Sequence, residues 1–492
     1  MKYKYIIDYL CQTVGPSIDG AGSSDERVNK RTEAGMAIAF RRYVCGIDGD
    51  EGCDFFKVDD DDQLFVFNGR HFEIIKEEVL QEIMLETMSE MNVGIVYQAN
   101  SAKTIKDFCM NKLKSDERCL FKADRRYVCF KNGIFDVETG KLSDFSVKFK
   151  TDIILDFDYK AGMVSALWDK VLAQTVPDIS MRETFHQFCG CFLAKRGDYK
   201  IEYICFVVGE GQNGKSIICK AVINTLGRGV ASAYSPEQLF KSSQAEYHLA
   251  DVNGKIVNYC DDVSKKDFSG GDFKQFVSGG EFVGRHPYSK RPTKVDKIPL
   301  MLCCANNIPP TTDDTEGYFR RFLVIIAPNH IDERDKDVTL EKKLQADDVR
   351  ASIFNWIYSG YKTFVANGGK IDVASSVKDV IEEMKNTSNS LRRWISEFNY
   401  GKVEPEGATD ARWKPLRDWC KEYITYCNDF GETPKNKNAV TEMFKKMDLA
   451  KVRRSDGMWY CMGVVMPEEP KVVEKKQEDD MPAFDLEAAL PF

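Results

Sequence analysis

Eight residues constrain this chain more than any others: Gly209-Glu210-Gly211-Gln212-Asn213-Gly214-Lys215-Ser216, preceded by the apolar run Tyr203-Ile204-Cys205-Phe206-Val207-Val208. The run is apolar throughout, the pattern of a parallel strand buried on both faces. The glycines let the backbone turn tightly and point its N–H groups at one spot. From Ile217 to Leu226 the spacing predicts a helix, which Gly227 can cap. Strand, glycine-rich turn and helix N-terminus together make a nest for an anion, and the G-x-x-x-x-G-K-S pattern inside it points to a nucleoside triphosphate, ATP. Lys215 would reach the β- and γ-phosphates, and the Ser216 hydroxyl would hold Mg²⁺.

Three further strand ends follow in a defined order. The run Lys255-Ile256-Val257-Asn258-Tyr259-Cys260 ends on Asp261-Asp262, 46 residues beyond Lys215. Carboxylates at such a strand end would sit beside the phosphate loop, one holding Mg²⁺ through water and the other polarising the attacking water. The metal-holding pair is expected to be Ser216 and Asp261. The run Ile298 to Cys304 ends on Ala305-Asn306-Asn307, where Asn306 can orient a hydrolytic water, although Asn-Asn before Pro309-Pro310 is also plain turn chemistry. The run Phe322 to Ile326 is preceded by Arg320-Arg321. Spacing alone leaves that pair open between a finger reaching a neighbouring subunit's nucleotide and a surface ion pair.

Between the second and third runs, Glu281 to Lys297 carries five Lys and Arg against two acids, a local +3 in a chain of net charge −8. Arg285, His286, Tyr288, Lys290 and Arg291 combine basic groups with an aromatic at a turn, which suits a phosphate backbone and a stacked base. A solvated basic hairpin is the other reading.

Taken in order, the Gly-x-Gly-x-Asn-Gly-Lys-Ser loop, the Asp261-Asp262 strand, Gly279-Gly280 leading into a basic hairpin, Asn306-x-x-Pro309 and Arg320-Arg321-Phe322 resemble the motifs of superfamily 3 helicases of the phage and plasmid primase-helicase type. Upstream, Asn132-Gly133-Ile134-Phe135-Asp136 and Thr139-Gly140 resemble the region that precedes the motor in those proteins. The resemblance implies an AAA+-like ring, usually a hexamer, with nucleotide sites between subunits and hairpins in the pore. It makes Asn306 the sensor asparagine, Arg321 the trans-acting finger and Arg285-His286 the hairpin-tip pair. Two departures stand out: Ala305 replaces a common threonine, and the first 60 residues carry no evident primase domain.

The expected architecture is α/β: an N-terminal α+β domain (1–165), a helical collar (166–200), a P-loop ATPase core (201–335), a helical continuation of the motor (336–400), a winged-helix-like domain (401–466) and an acidic tail (467–492). Residues 1 to about 62 read as polar and irregular, followed by a hairpin around Asn68-Gly69 and a helix from about Lys76 to Met91. Beyond the core, helices are expected over Val338–Phe364, Ser375–Phe398, Trp413–Asn428 and Asn438–Met447, then a two-stranded wing. Lys445, Lys446, Lys451, Arg453 and Arg454 would face DNA if that module binds it, with docking to a protein the alternative. The tail carries eight acids against three lysines and ends on Phe484-Asp485-Leu486-Glu487-Ala488-Ala489-Leu490-Pro491-Phe492, either a docking motif for a replication partner or a solubilising end.

Sixteen cysteines without a C-x-x-C pair and five scattered histidines argue against zinc and for a reducing, cytoplasmic setting, and no run is long enough to span a bilayer. The expectation is an ATP-driven replicative helicase, encoded by a phage or other mobile element, translocating on single-stranded and forked DNA. The rivals are a fused primase-helicase and a nucleotide-switched DNA-binding assembly ATPase.

Overall fold

The computed structural model describes residues 3–19, 55–59, 62–90, 99–115, 117–195, 197–263, 270–287, 289, 291–307, 311, 313, 315–397, 414–430, 434–446, 451–453 and 459–461. The chain is mixed α/β, built around a parallel sheet. It begins with helix α1 (Lys4–Asp19), the antiparallel sheet β1 (Phe56–Val58), β2 (Leu64–Phe67) and β3 (Phe72–Ile75), and helices α2 (Glu77–Glu90) and α3 (Ala99–Ser115). The Asn68-Gly69 turn falls where expected, with Gly69 at φ 93°. Residues 1–62, however, are not irregular throughout. Ile6, Ile7 and Leu10 of α1 are fully buried with Phe56 and Val58 of β1. Ile6, Ile7, Leu10, Cys11 and Val14 do recur at helical spacing, a short period that ends at Gly15-Pro16 and is outweighed by the polar stretch after it when 1–62 is read as one segment. Helix α3 also went unread: its buried Ile105, Cys109, Met110 and Leu113 stand among lysines and asparagines.

A second antiparallel sheet, β4 (Tyr127–Phe130), β5 (Gly133–Asp136) and β6 (Lys141–Ser143), belongs to a different core. Val128, Phe130, Phe135 and Phe157 join the large cluster that contains the parallel sheet. Helices α4 (Ala166–Thr175) and α5 (Ile179–Gly190) then lead into β7 (Ile204–Val208) and α6 (Lys215–Leu226). Next come β8 (Ala231–Ser232), α7 (Pro236–Phe240), α8 (Ala245–Val252), β9 (Val257–Cys260), α9 (Gly271–Val277), the hairpin β10 (Phe282–Gly284) and β11 (Thr293–Val295), β12 (Leu300–Ala305), α10 (Glu316–Phe319) and β13 (Phe322–Ile326). The parallel sheet has the order β13-β7-β12-β9-β8. Every residue of β7, β9 and β12 is buried, as strands covered on both faces require. Edge strand β8 is only two residues long; Asn258 of β9, wholly buried, accepts from Ser232 Oγ (2.9 Å) and Tyr234 N (3.0 Å) and donates to Tyr234 O (2.6 Å). This satisfied amide fixes the edge where backbone pairing runs out.

The motor continues as α11 (Leu340–Leu344), α12 (Asp347–Ala366) and α13 (Ser375–Ser388). The single helix expected over 338–364 is therefore broken near Gln345-Ala346. Helix α12 ties the pieces together: Phe354 meets Phe130 edge-on at 4.7 Å, and Tyr358 meets Phe135 at 5.0 Å. Against α5 it packs backbone to backbone. A Cβ on Gly190 would lie 2.1 Å from Tyr361 N, and one on Gly360 would lie 2.2 Å from His186 O.

The C-terminal module comprises α14 (Ser390–Glu397), β14 (Lys414–Pro415), α15 (Leu416–Asp429), α16 (Lys437–Lys446), β15 (Lys451–Arg453) and β16 (Trp459–Cys461), with sheet order β14-β16-β15. Residues 414 and 415, expected within a helix, pair with β16 instead. Leu391, Trp394 and Ile395 of α14 share a core with Trp419, Tyr423, Val440 and Phe444, so this core begins before residue 401. The side chains of Lys445, Lys446, Lys451 and Arg453, with Arg454 and the tail 467–492, lie outside the described residues. Among the described residues the cysteines are free thiols and no helix is long and apolar enough to cross a membrane.

The glycine crossing yields a stability prediction. Gly360→Ala forces a methyl into the His186 carbonyl and should cost about 3 kcal/mol. It is checked by the denaturant midpoint of the purified chain; an unchanged midpoint would show that the α5–α12 crossing has slack.

Candidate functional site

Parallel register brings the candidate residues to one edge. Val208 of β7 pairs with Ala305 of β12 and Ile326 of β13, and Cys260 of β9 pairs with Cys303. The residues that follow, Gly209, Asn306 and Asp261, therefore leave the sheet side by side at its C-terminal edge, the edge where open α/β sheets bind ligands.

The loop between β7 and α6 is clasped by backbone. Gly209 tolerates no side chain, because a Cβ would stand 2.2 Å from both Ala327 O and Asn213 Nδ2. Asn213, buried, donates to Ala327 O at 3.0 Å. Gln212 adopts φ 65° and Gly214 φ 83°, so two left-handed residues precede the first turn of α6. Gln212 O accepts from Ile331 N at 2.8 Å, anchoring the turn to the segment after β13. Glu210 and Gly211 are exposed, and a Cβ on Gly211 would meet nothing within 4 Å. The loop is held at its ends and open at its crown.

Lys215 is 8% exposed, and its ammonium donates to Gly209 O (2.9 Å), Glu210 O (3.4 Å) and Asn306 Oδ1 (3.0 Å). The asparagine singled out as a sensor is thus in direct contact with the loop lysine. On the other side, Asp261 accepts from Tyr259 Oη at 2.6 Å and pairs with Lys220 Nζ at 2.5 Å. Burial opposes ionisation of Asp261, but the Lys220 ammonium and the Ser216 and Tyr259 hydroxyls outweigh it and hold the carboxyl below its ordinary value. Ser216 and Lys220, one turn apart on α6, thus both face Asp261, the partner of Ser216 in the pair named for Mg²⁺. Asp262 follows, exposed, its backbone carbonyl accepting from Cys260 Sγ at 3.2 Å. Lys220 and Tyr259 escaped the sequence reading. Their signals are present: Lys220 is four residues from Ser216 on the same helix face, and Tyr259 two residues from Asp261 on the same strand face.

The other candidates occupy the opposite edge. Phe322 pairs with Ile204 at the N-terminal end of β7, so Arg321, level with Tyr203, lies roughly 20 Å, six strand residues, from Gly209 of its own loop. Its guanidinium does not project. It is 8% exposed, Nη2 donates to Ser278 Oγ at 2.8 Å, and Nη1 donates to Gly317 O. Arg320 is the exposed member, its side chain 53% accessible and 3.6 Å from Glu202. The basic hairpin roots at this edge too, β11 running through Asp296 into β12, with Arg285 N bound to Glu246 O of α8 (3.0 Å). Arg285, His286 and Arg291 are exposed at its tip, while Tyr288 and Lys290 lie outside the described residues.

Comparison with known proteins bears on these elements. Residues 37–177 match a family described as D5 N terminal like, and residues 207–321 match a family of unknown function, DUF5906. The chain is 27% identical over 213 residues to "Putative helicase L207/L206" of Acanthamoeba polyphaga mimivirus, covering 40% of this chain and 21% of that protein. It is 26% identical over 225 residues to "Putative helicase 121R" of Invertebrate iridescent virus 3, covering 42% of this chain and 23% of that protein. The chain thus spans about a fifth of the length of these curated relatives. A solved apo structure of the NrS-1 C terminal region superposes with a TM-score of 0.48 at 10% identity, over 83% of this chain and 95% of that one. The resemblance to phage-type primase-helicases read from the motifs is carried by these family and viral matches.

The Asp261 cluster makes a pH prediction. Its carboxyl value is depressed on folding, so its pairing stabilises the fold above the ordinary carboxylate value and is lost as pH falls through the depressed one. The gap in denaturant midpoint between wild type and Asp261→Asn should hold steady from neutrality to about pH 4 and close below it. A gap independent of pH would mean that the charge of Asp261 contributes nothing.

Proposed function

We propose that this chain is the motor of an ATP-driven DNA helicase of the superfamily 3, primase-helicase type, acting as a ring on single-stranded DNA. The observation that carries the reading is the contact of Lys215 with Asn306, with Asp261 tied through Lys220 to the helix that Lys215 and Ser216 begin, all at the C-terminal edge of one parallel sheet. The residues present fit a triphosphate and its metal. Gly209 leaves the backbone free of side chain, Gly211 opens the crown of the loop, and α6 directs its N-terminus there. Ser216 and Asp261 offer hard oxygen donors, the kind Mg²⁺ takes. When bound, the metal neutralises charge on the β- and γ-phosphates. Lys215, now satisfied by carbonyls, would exchange them for phosphate oxygens, and Asn306, released from Lys215, would orient the attacking water. Asp262, next to the metal-holding Asp261, is the candidate to polarise that water.

The distribution of charge over the two edges supports the ring. The arginine pair stands at the edge away from its own loop, so an arginine that stabilises hydrolysis does so in a neighbouring subunit's site. The hairpin carries Arg285, His286 and Arg291 outward at that same edge, where several copies facing one pore would concentrate positive charge in an acidic protein. The helices and three-stranded sheet of the C-terminal module follow the order helix, strand, helix, helix, strand, strand, an order that supports the winged-helix reading. Its DNA or protein partner, and that of the acidic tail, remain part of the proposal.

Lys215→Ala should abolish ATP hydrolysis, and substantial turnover surviving in it would sink the assignment. ATP-dependent strand displacement on a fork separates a motor from a nucleotide-switched assembly protein. For the hairpin, replacing Arg285, His286 and Arg291 with alanine should uncouple hydrolysis from displacement. With two arginine–phosphate contacts removed, the slope of log affinity against log salt for single-stranded DNA should become shallower by about 1.4. An unchanged slope and unimpaired displacement would reduce the hairpin to a surface feature.

A further inference from the structure

The resemblance assigns the trans-acting role to Arg321, but the two arginines are held in opposite ways. Arg321 turns inward. Its Nη2 is given to Ser278 Oγ at 2.8 Å and its Nη1 to Gly317 O, and Nε is buried without an acceptor among the described residues. Burial, and then the charge of Arg320 beside it, lower its pKa, the mark of a cation that is boxed in. To reach a neighbour's phosphate it would break two charge-assisted bonds and strand both acceptors. Arg320 has no such ties: it is half exposed, and its contact to Glu202 at 3.6 Å is a surface pair of the kind that contributes little.

What Arg321 does hold is the root of the hairpin. Ser278 opens the turn Ser278-Gly279-Gly280 that leads to β10 four residues on. The turn is stiff. Gly279 sits at φ 73°, Gly280 N bonds Gln275 O at 2.8 Å, and Gln275 Nε2 donates to Glu281 O at 2.5 Å. Through its backbone, Arg321 O accepts from Ile204 N at 2.8 Å, the first residue of the strand that ends in the phosphate loop. Glu202, two residues before Ile204 on the same strand lead-in, faces Arg320 at 3.6 Å.

We propose, resting on the function above, that the pair divides its labour: Arg320 is the finger presented to the neighbouring subunit, and Arg321 is a positioning residue that links the nucleotide-bearing strand to the basic hairpin through Ser278. A shift of Arg320 on engaging a neighbour's nucleotide is then passed by the adjacent residue to the hairpin, and DNA on the hairpin is felt at the shared site.

The test measures ATP hydrolysis of the full chain with and without single-stranded DNA, for wild type, Lys215→Ala, Arg320→Ala, Arg321→Lys and Ser278→Ala. Wild-type turnover that is absent, or that survives Lys215→Ala, defeats the proposed function and this inference with it. With turnover established, Arg320→Ala is expected to lose at least about 10³-fold in rate, the range of an arginine finger. It should regain activity when mixed with Lys215→Ala chains, each supplying what the other lacks. Ser278→Ala, which removes one hydroxyl, is expected to hydrolyse ATP near the wild-type rate without DNA but to lose the rise that DNA brings. Arg320→Ala at the wild-type rate, with Arg321→Lys inactive and rescued by mixing, overturns the division. Normal DNA stimulation in Ser278→Ala, or none in wild type, overturns the link.

Discussion

The structure depends on the register of four parallel strands. Because β7, β9, β12 and β13 are buried along nearly their whole lengths, a one-residue slip in any of them would bury a loop residue or expose a core one. That burial fixes where each strand stops. Where it stops decides which side chain emerges beside Gly209. The site is therefore less a set of individually placed residues than the common end of a packed sheet, and a core substitution in β12 would move Asn306 as surely as a change in its own loop.

The same logic explains how a lysine can be nearly buried without an acidic partner. Lys215 is surrounded by oxygens with partial charge, two backbone carbonyls and an amide, rather than by a carboxylate. Such acceptors satisfy its donors yet bind a cation less tightly than a full negative charge does. The carboxylate in the neighbourhood, Asp261, is occupied by a different cation, Lys220. Two lysines five residues apart on one helix, and so on different faces of it, thus keep separate partners, and the loop lysine stays available to an anion.

Much of this was legible in the sequence because the signals were local. The strand before Gly209, the Asn-Gly turn at 68–69 and the Gly227 cap each follow from a few adjacent residues. The misreadings arose where structure depends on distant partners. Helix α1 shows three buried apolar residues only because β1 and α2 cover them. Residues 414 and 415 are a strand because β16 pairs with them, which no local pattern announces. The orientation of Arg321 was unreadable for the same reason: its acceptors, Ser278 and Gly317, come from two other elements. Lys220 was readable in principle, four residues from Ser216, but its partner lies on another strand.

The aromatic seam on α12 has a consequence for how the chain can be divided. The two family matches end at residue 177 and begin at residue 207, as though two modules met there. The cores divide elsewhere. Phe130, Phe135 and Tyr159, inside the first match, pack on Phe354 and Tyr358, which lie beyond the second. Modules that share a core do not recombine freely, since either one transplanted alone carries half an interface of rings into water. The gap between the two matches is not a boundary of packing: one physical unit runs through it, and each half must accommodate changes in the other.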